Sequence, residues 1–273
     1  MTDQRPHIIV CMKVVPRSEE IHIEPETMTI DRTGVRSEMN RSDMNALELA
    51  LSLRDQHGGR VSTISMGPPV FEQYLRVMIA VGVDHAYLLS DRAFAAADTL
   101  ATSLTLARGI EKIGDYDLIF CGEESSDGAT AQVPPGIAEW LGIPQITYAT
   151  AMKLLPEENR VEAHREIRGG HEVLSVPLPA VASVKLAMNE PRFIDMDRID
   201  WAQTADVVTT WSIQDLGIDP KTVGLDGSGT IVEGVYEAPA AERKREFIRG
   251  SPEEEAKALF EHIKEYLSLG AEG

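Results

Sequence analysis

The residues best placed to do chemistry fall in one run, CGEESSDGATAQVPPGIAEWLGIPQ, at positions 121–145. The apolar Leu118-Ile119-Phe120-Cys121 leads into it, a polar turn containing glycine follows, and the run then reads as helix. Asp127, Gly128, Thr130 and Gln132 stand at the lip of that junction. The first amides of a helix are unpaired donors at the positive end of its dipole, so the pattern suits a phosphate or a nucleotide. Other chemistries lack their patterns. The chain has no G-x-x-x-x-G-K-[ST], no G-x-G-x-x-G opening its first helix, no H-E-x-x-H and no G-x-S-x-G. The run Gly224-Leu225-Asp226-Gly227-Ser228-Gly229 reads as a turn, and His164 and His171 as exposed hairpin residues. Cys11 and Cys121 read as small buried side chains at strand ends; reactive thiols would need a positive group nearby. A nucleotide site without an acid, base, nucleophile or metal cluster points to a holder of cofactor, in which the organic molecule does the difficult step.

The elements around the junction must position it. Residues 8–15 read as a buried strand, and 21–31, with Pro25, as an edge excursion or small hairpin. Ser42 or Asp43 can cap a helix to about His57, with Leu47, Ala50, Leu51 and Leu53 inward and Gly58-Gly59 as its stop. Strands follow at Val61–Met66 and His85–Leu89. A helix between them carries Leu75, Met78, Ile79 and Val83. Ala95–Ile113 reads as a helix with Leu100, Leu104, Ala107 and Ile110 on one face, before the strand 118–121 and the helix Pro135–Leu141. Such alternation predicts an α/β fold: a doubly wound, mostly parallel, Rossmann-like sheet covered on both faces. Ligands of these sheets lie beyond the carboxyl ends of the strands near the switch point, here Met12-Lys13, Ser65-Met66-Gly67 and Cys121-Gly122.

Beyond residue 150 the texture becomes hairpins, with turns at Pro156–Asn159 and Gly169-Gly170, and Leu178–Leu186 returns to the sheet. Residues 190–230 read as loop and extended arm, and 240–250 as basic and irregular. Ser251-Pro252-Glu253-Glu254 opens a terminal helix with the stripe Leu259, Phe260, Ile263, Tyr266 and Leu267, to be buried on its own domain or on a partner subunit. The expected organisation is a nucleotide-binding domain over 1–190, a recognition loop and arm over 191–250, and the helix 251–273.

Forty-four acidic residues against 26 basic ones give a net charge of −18, which argues against nucleic acid as a partner. The two cysteines form no C-x-x-C, which suits a reducing compartment. No charged-then-apolar leader pattern opens the chain, and no apolar run approaches the roughly 20 residues of a bilayer span. The expectation is a cytoplasmic protein without membrane insertion.

Several segments together carry a resemblance: CMKVVP at 11–16, the Gly34 turn followed by Met39-Asn40, SMGPP at 65–69, CGEESSDGATAQV at 121–133, REIRGG at 165–170 and LPAVASVKLAMNEPRF at 178–193. In these the chain resembles the beta (small) subunit of electron transfer flavoproteins. The resemblance implies a heterodimer with a larger alpha subunit carrying the redox-active FAD. It further implies a pocket in this chain holding structural AMP or, in the electron-bifurcating branch, a second FAD that takes hydride from NADH. The pocket carried over comprises Cys11, Met12 and Lys13; Asn40, Arg41, Ser42 and Asp43; Thr63, Ser65 and Met66; and Gly122, Glu123, Glu124, Ser125, Ser126, Asp127, Gly128, Ala129, Thr130, Ala131, Gln132 and Val133. In it Asp127 and Gly128 shape the turn, the amides of Ala129 to Val133 face phosphate, and Thr130 and Gln132 donate side-chain hydrogen bonds. Lys13 either supplies positive charge or stands in solvent. The T-A-Q-V and I-A-E pieces follow the bifurcating pattern, while Ala129 and Pro134 depart from its Asp and Gly; FAD is expected over AMP.

The segment after Asn189-Glu190-Pro191-Arg192 corresponds to the family's recognition loop, with Arg192, Phe193, the apolar anchor Met196, and Trp201. Its partner would be an acyl-CoA dehydrogenase-type protein or a quinone oxidoreductase. Trp201 is either packed inward or part of the contact. Glu166 matches a carboxylate lying toward the alpha-subunit flavin, or is an exposed strand residue. A different class, an ATP-using or nucleotide-sensing protein, would show S-G-G-x-D-S near the first strand, or a late G-x-G with a following Ser loop; Cys11-Met12-Lys13-Val14 is neither.

Overall fold

Ile8 and Val10 point to one side of the first strand, Ile9 and Cys11 to the other, and all four are buried. A strand buried on both faces belongs in the middle of a layered sheet. The computed structural model describes residues 5–17, 22–24, 29–31, 36–234 and 247–269. In chain order it contains β1 (His7–Cys11), β2 (Val14–Pro16), β3 (His22–Glu24), β4 (Thr29–Asp31), β5 (Ser37–Met39), α1 (Arg41–His57), β6 (Arg60–Met66), α2 (Glu72–Val81), β7 (His85–Leu89) and α3 (Thr99–Ile113). Then follow β8 (Leu118–Gly122), α4 (Val133–Leu141), β9 (Gln145–Leu155), β10 (Arg160–Ile167), β11 (Gly170–Pro177), β12 (Ala180–Val184), α5 (Ile199–Thr204), β13 (Val208–Trp211), α6 (Ile213–Leu216) and α7 (Pro252–Leu269).

Nine strands form one sheet in the order β11-β10-β9-β12-β8-β1-β6-β7-β13. All neighbours from β9 to β13 run parallel, and the β9–β10–β11 hairpins add an antiparallel edge. Helices α1 and α2 cover one face through Leu47, Leu51, Leu75 and Ile79; α3 and α4 cover the other through Leu106, Ile110 and Ile137. This is the doubly wound α/β fold expected. From β1 the chain builds outward through β6 and β7, then crosses back to place β8 on the other side of β1. The topological switch point therefore lies between the ends of β1 and β8.

Several local expectations shift. Asn40, not Ser42 or Asp43, precedes the first turn of α1, and its side chain makes no cap bond. Helix α3 begins at Thr99 rather than Ala95, because the Asp98 carboxylate accepts from the amides of Leu100 and Ala101 at 2.9 and 3.1 Å. Leu100, expected inward, is half exposed on that first turn. Val83 is buried but lies past the end of α2. The expected arm over 190–230 instead contributes α5, α6 and the ninth strand, β13, which pairs with β7. Strands β3 and β4 form the small hairpin expected over 21–31; Pro25 and Gly34 lie outside the described residues.

The chain divides into two compact units, 1–235 and 236–273. Residues 240–246 of the basic stretch lie outside the described residues. Helix α7 opens as read: Ser251 Oγ accepts from the Glu254 amide at 3.4 Å, and the Ser251 amide donates to the Glu254 carboxylate at 2.9 Å. Leu259, Phe260 and Ile263 are exposed on it, and the side chains of Tyr266 and Leu267 lie outside the described set. No helix among the described residues is long and apolar enough to cross a membrane.

Two positions of the apolar stripe of α3, Ile110 and Leu100, give a direct check on this packing. Ile110→Ala, in a site with no solvent exposure, should lower stability by about 2–5 kcal/mol in urea unfolding. Leu100→Ala should change it by no more than about 0.5 kcal/mol. Equal losses would contradict the helix orientation.

Candidate functional site

The ends of β1 and β8 are tied together by one side chain. Asp43, in the first turn of α1, accepts from the Lys13 amide at 2.7 Å and from the Gly122 amide at 3.0 Å, one bond to each carboxylate oxygen. It is 6% exposed. Burial pushes its carboxyl up to about 6, against the pull of those amides and of the Lys13 charge. Gly122 must be glycine for this approach, since a Cβ there would lie 2.2 Å from Ser42 Oγ and 2.4 Å from Asp43 Oδ1. Asp43 is thus a fastening between strands, with both oxygens engaged.

Asn40 and Ser42 perform a similar service one residue further out. The Asn40 amide donates to the Glu124 carbonyl at 2.9 Å, its oxygen accepts from the Ser126 amide at 3.2 Å, and Ser42 Oγ donates to the Glu124 carbonyl at 2.8 Å. This explains the missing cap on α1: the Asn40 side chain is turned to the loop. Lys13 completes the lip. Its ammonium meets Asp127 at 2.6 Å and Ser125 at 3.2 Å. Burial alone would raise the Asp127 carboxyl, but the Lys13 hydrogen bond and charge hold it below the usual range. Lys13 is therefore neither idle in solvent nor an unengaged positive charge.

The loop then turns through unusual backbone. Ala129 and Ala131 have φ of 46° and 54°, the left-handed region that costs an L-residue of order 1 kcal/mol or more. Gln132 follows with φ −94° and ψ −18°. Such an alternation of hand turns successive amides to one side and makes a concavity for anions. The Ala129 amide is not among those available, because it donates to the Ser125 carbonyl at 2.8 Å. The Gln132 oxygen accepts from Thr99 Oγ at 2.8 Å, which leaves its amide group for other donations. Thr130 and Gly128 are exposed, Val133 half-buried.

The remaining pocket candidates divide. Thr63 and Ser65, on β6 beside β1, are buried hydroxyls with no hydrogen-bond partner among the described residues, the kind of atom a bound oxygen would satisfy. Met12 is buried in the core and Met66 half-buried. Arg41 is exposed, its guanidinium 4.0 Å from Glu38. Glu123 is held by the Leu186 amide at 3.1 Å and by Lys185 at 3.4 Å. Lys185 also meets the exposed Glu166 at 2.9 Å, which raises the lysine's affinity for its proton. Cys11 and Cys121 are free and buried; contact with Cys11 and burial keep the Cys121 thiol protonated. His164 and His171 are exposed, and no group of metal-ligating side chains gathers among the described residues.

Sequence reasoning missed the contact that holds the start of α3. The Gly-rich turn packs on the start of α3: Ser228 Oγ accepts from the Asp98 amide at 2.8 Å, and Thr230 donates to Asp98 from its amide at 2.9 Å and hydroxyl at 3.0 Å. The D-T pair ahead of an apolar helical stripe was the available signal.

In the segment after β12, the Asn-Glu-Pro-Arg run has a structural explanation. Asn189 and Asn45 exchange side-chain-to-carbonyl hydrogen bonds at 3.0 and 2.6 Å, and Arg192 forks onto Glu48 at 2.8 and 3.0 Å and reaches Asp55 at 2.9 Å. Arg192 is thus held on α1. Phe193 and Met196, 96% and 75% exposed, are left projecting. Trp201 is also exposed, beneath the Arg198 guanidinium at 5.2 Å, while its neighbour Ala202 is the buried residue.

Fold and junction together define a Rossmann-like α/β protein with a fastened polar loop at its switch point. The family described as "Electron transfer flavoprotein domain" matches residues 27–212. The chain is 41% identical over 260 residues to "Caffeyl-CoA reductase-Etf complex subunit CarD" of Acetobacterium woodii, spanning 94% of this chain and 98% of that one. It is 44% identical over 263 residues to "Protein FixA" of Bradyrhizobium diazoefficiens, spanning 94% and 91%. It is 40% identical over 257 residues to "Electron transfer flavoprotein subunit beta" of Thermoanaerobacterium thermosaccharolyticum, spanning 94% and 97%. The chain belongs to the electron transfer flavoprotein family, as a beta-type subunit.

Asn40→Ala should release the loop without breaking the Asp43 fastening. Hydrogen exchange at the Ser126 amide should speed at least about tenfold, with a stability loss of about 1–2 kcal/mol. Unchanged protection at Ser126 would show that Asn40 does not hold the loop.

Proposed function

We propose that this chain works with an electron transfer flavoprotein alpha subunit and holds an adenine nucleotide at the switch point, FAD in preference to AMP. The observation that carries the reading is the backbone of residues 129–133, left-handed at two alanines and leading into a helix start. Strain of this kind is kept where a ligand uses the geometry. The amides of Ala131 to Val133, with Thr130 and the Gln132 amide, would take the phosphates. The Thr63 and Ser65 hydroxyls offer further oxygens or hydrogens from β6. The neutral Lys13–Asp127 pair at the lip adds no net negative charge beside a pyrophosphate.

A flavin bound there would supply two-electron acceptance from a hydride donor such as NADH. The contribution of this chain is to bind, orient and shield: Asn40, Ser42 and Asp43 fix the loop, and the apolar sheet face below excludes water. Electrons would pass between such a donor, or an acyl-CoA dehydrogenase-type partner, and a further acceptor such as a quinone oxidoreductase. The relative from Acetobacterium woodii is named as part of a caffeyl-CoA reductase complex, which supports an acyl-CoA-type partner. Phe193, Met196 and Trp201 project from the anchored segment and suit such a contact. Glu166, fixed by Lys185, is placed in this reading toward the alpha-subunit flavin.

The test is to purify the chain with its alpha subunit, denature the complex and quantify released nucleotide. Two FAD and no AMP per heterodimer is the expected result. One FAD and one AMP would make the chain part of a single-flavin carrier, with a structural nucleotide at this site. Separately, Met196→Ala should slow electron transfer to the partner dehydrogenase several-fold without altering bound nucleotide, and an unchanged rate would remove the docking role.

A further inference from the structure

A carboxylate buried among apolar strands is an expensive way to join two amides. Asp43 sits between α1 and the ends of β1 and β8 with 6% exposure, and the charged or titratable groups facing it are few: Lys13 just past β1 and the Cys121 thiol of β8. The Lys13 ammonium is already engaged by Asp127 and Ser125. Asn40 and Ser42 on the same turn are uncharged and bind the 124–126 backbone, and the Asn40 side chain also favours the ionised form of Asp43. Folding thus keeps Asp43 ionised at neutral pH in a place where burial opposes ionisation. What the charge supplies is two strong acceptors at once, one for each side of the switch point.

Resting on the nucleotide reading above, we propose that Asp43 is a positioning residue for that site: its ionised carboxylate sets the spacing between Lys13 and the loop that begins at Gly122, at some expense to the stability of the fold. Neutralising it would leave one of the two amides without a good acceptor. The strand ends would separate, and the loop carried on β8 would lose its register with Lys13.

Stability and binding then respond to pH in opposite directions. Folding raises the Asp43 pKa from its ordinary 3.8 to about 6. Its contribution to stability is therefore fully present below the unfolded value and is lost as pH rises through about 6. Nucleotide binding needs the ionised form, so it should weaken as pH falls through about 6.

The experiment measures binding of FAD and of AMP to the full-length chain at pH 7.5 and 5.5, for wild type and Asp43→Asn, with urea midpoints on the same samples. Because the second ionisation of a monophosphate falls near pH 6, the pH effect is read as the difference between the two proteins. Asp43→Asn should bind about tenfold more weakly at pH 7.5 when the two proteins are compared at equal folded fraction, as fixed by the urea curves. Acid should weaken wild-type binding more than it weakens the variant. Equal affinity in the two proteins at pH 7.5 overturns the positioning role and leaves the nucleotide reading standing. A binding loss that disappears once the folded fraction is allowed for makes Asp43 a general stabiliser and also overturns it. Wild-type protein that binds neither nucleotide removes the nucleotide reading and this role with it. Should Asp43→Asn fail to fold, FAD affinity of the wild type that is flat between the two pH values overturns the proposal.

Discussion

The site depends on one constraint: two parallel strands that diverge at the switch point must end at a fixed distance. Sheet hydrogen bonds stop supplying that restraint where the β1–β8 ladder ends, at Val10 and Phe120. Asp43 takes over beyond it, accepting from Lys13 on one side and Gly122 on the other. Because Asp43 is on α1, the same contact fixes the helix against the sheet edge it covers. Glycine at 122 follows from that proximity, since no larger residue leaves room for the carboxylate.

Other features are graded outward from this point. Asn40 and Ser42 hold the first residues of the loop, the Lys13–Asp127 pair closes its lip, and Thr99 touches it through Gln132 from α3. On the far side of α1, Asn45, Glu48 and Asp55 secure the segment that presents Phe193 and Met196. One helix therefore serves two surfaces. Its first turn organises the loop at the switch point, and Asn45, Glu48 and Asp55 further along it anchor the projecting apolar residues. A rigid scaffold beneath exposed contact residues is the arrangement expected where recognition and cofactor binding share a subunit.

Much of this was legible in the sequence where local rules govern. Strands His85–Leu89 and Leu118–Gly122 were readable because the short apolar runs Ala86–Leu89 and Leu118–Cys121 stood between turn signals. The gathering of strand ends followed from the α/β alternation alone. Long-range pairings were less legible. Nothing local links Lys13 to Asp127, or Arg192 to Glu48, so neither ion pair is legible in the sequence. The sequence Ala95-Ala96-Ala97 favours helix by propensity, yet Asp98 starts it later because packing from Ser228 and Thr230 holds the cap in place. Strand β13 escaped because four residues at a half-buried edge carry too little periodicity to stand out from the loops beside them. The Asn40 side chain, a good helix cap by type, serves the loop instead, which is the sort of local rule a functional site overrides.

The central claim is that the backbone of 129–133 receives phosphate. The most direct measurement is a titration of the isotopically labelled full-length chain with AMP, following backbone amide resonances. The account predicts the largest shifts at Ala131, Gln132 and Val133, with smaller ones at Lys13 and Gly122 and none on the exposed β10–β11 hairpin. Saturable binding whose shifts bypass residues 129–133 would contradict it.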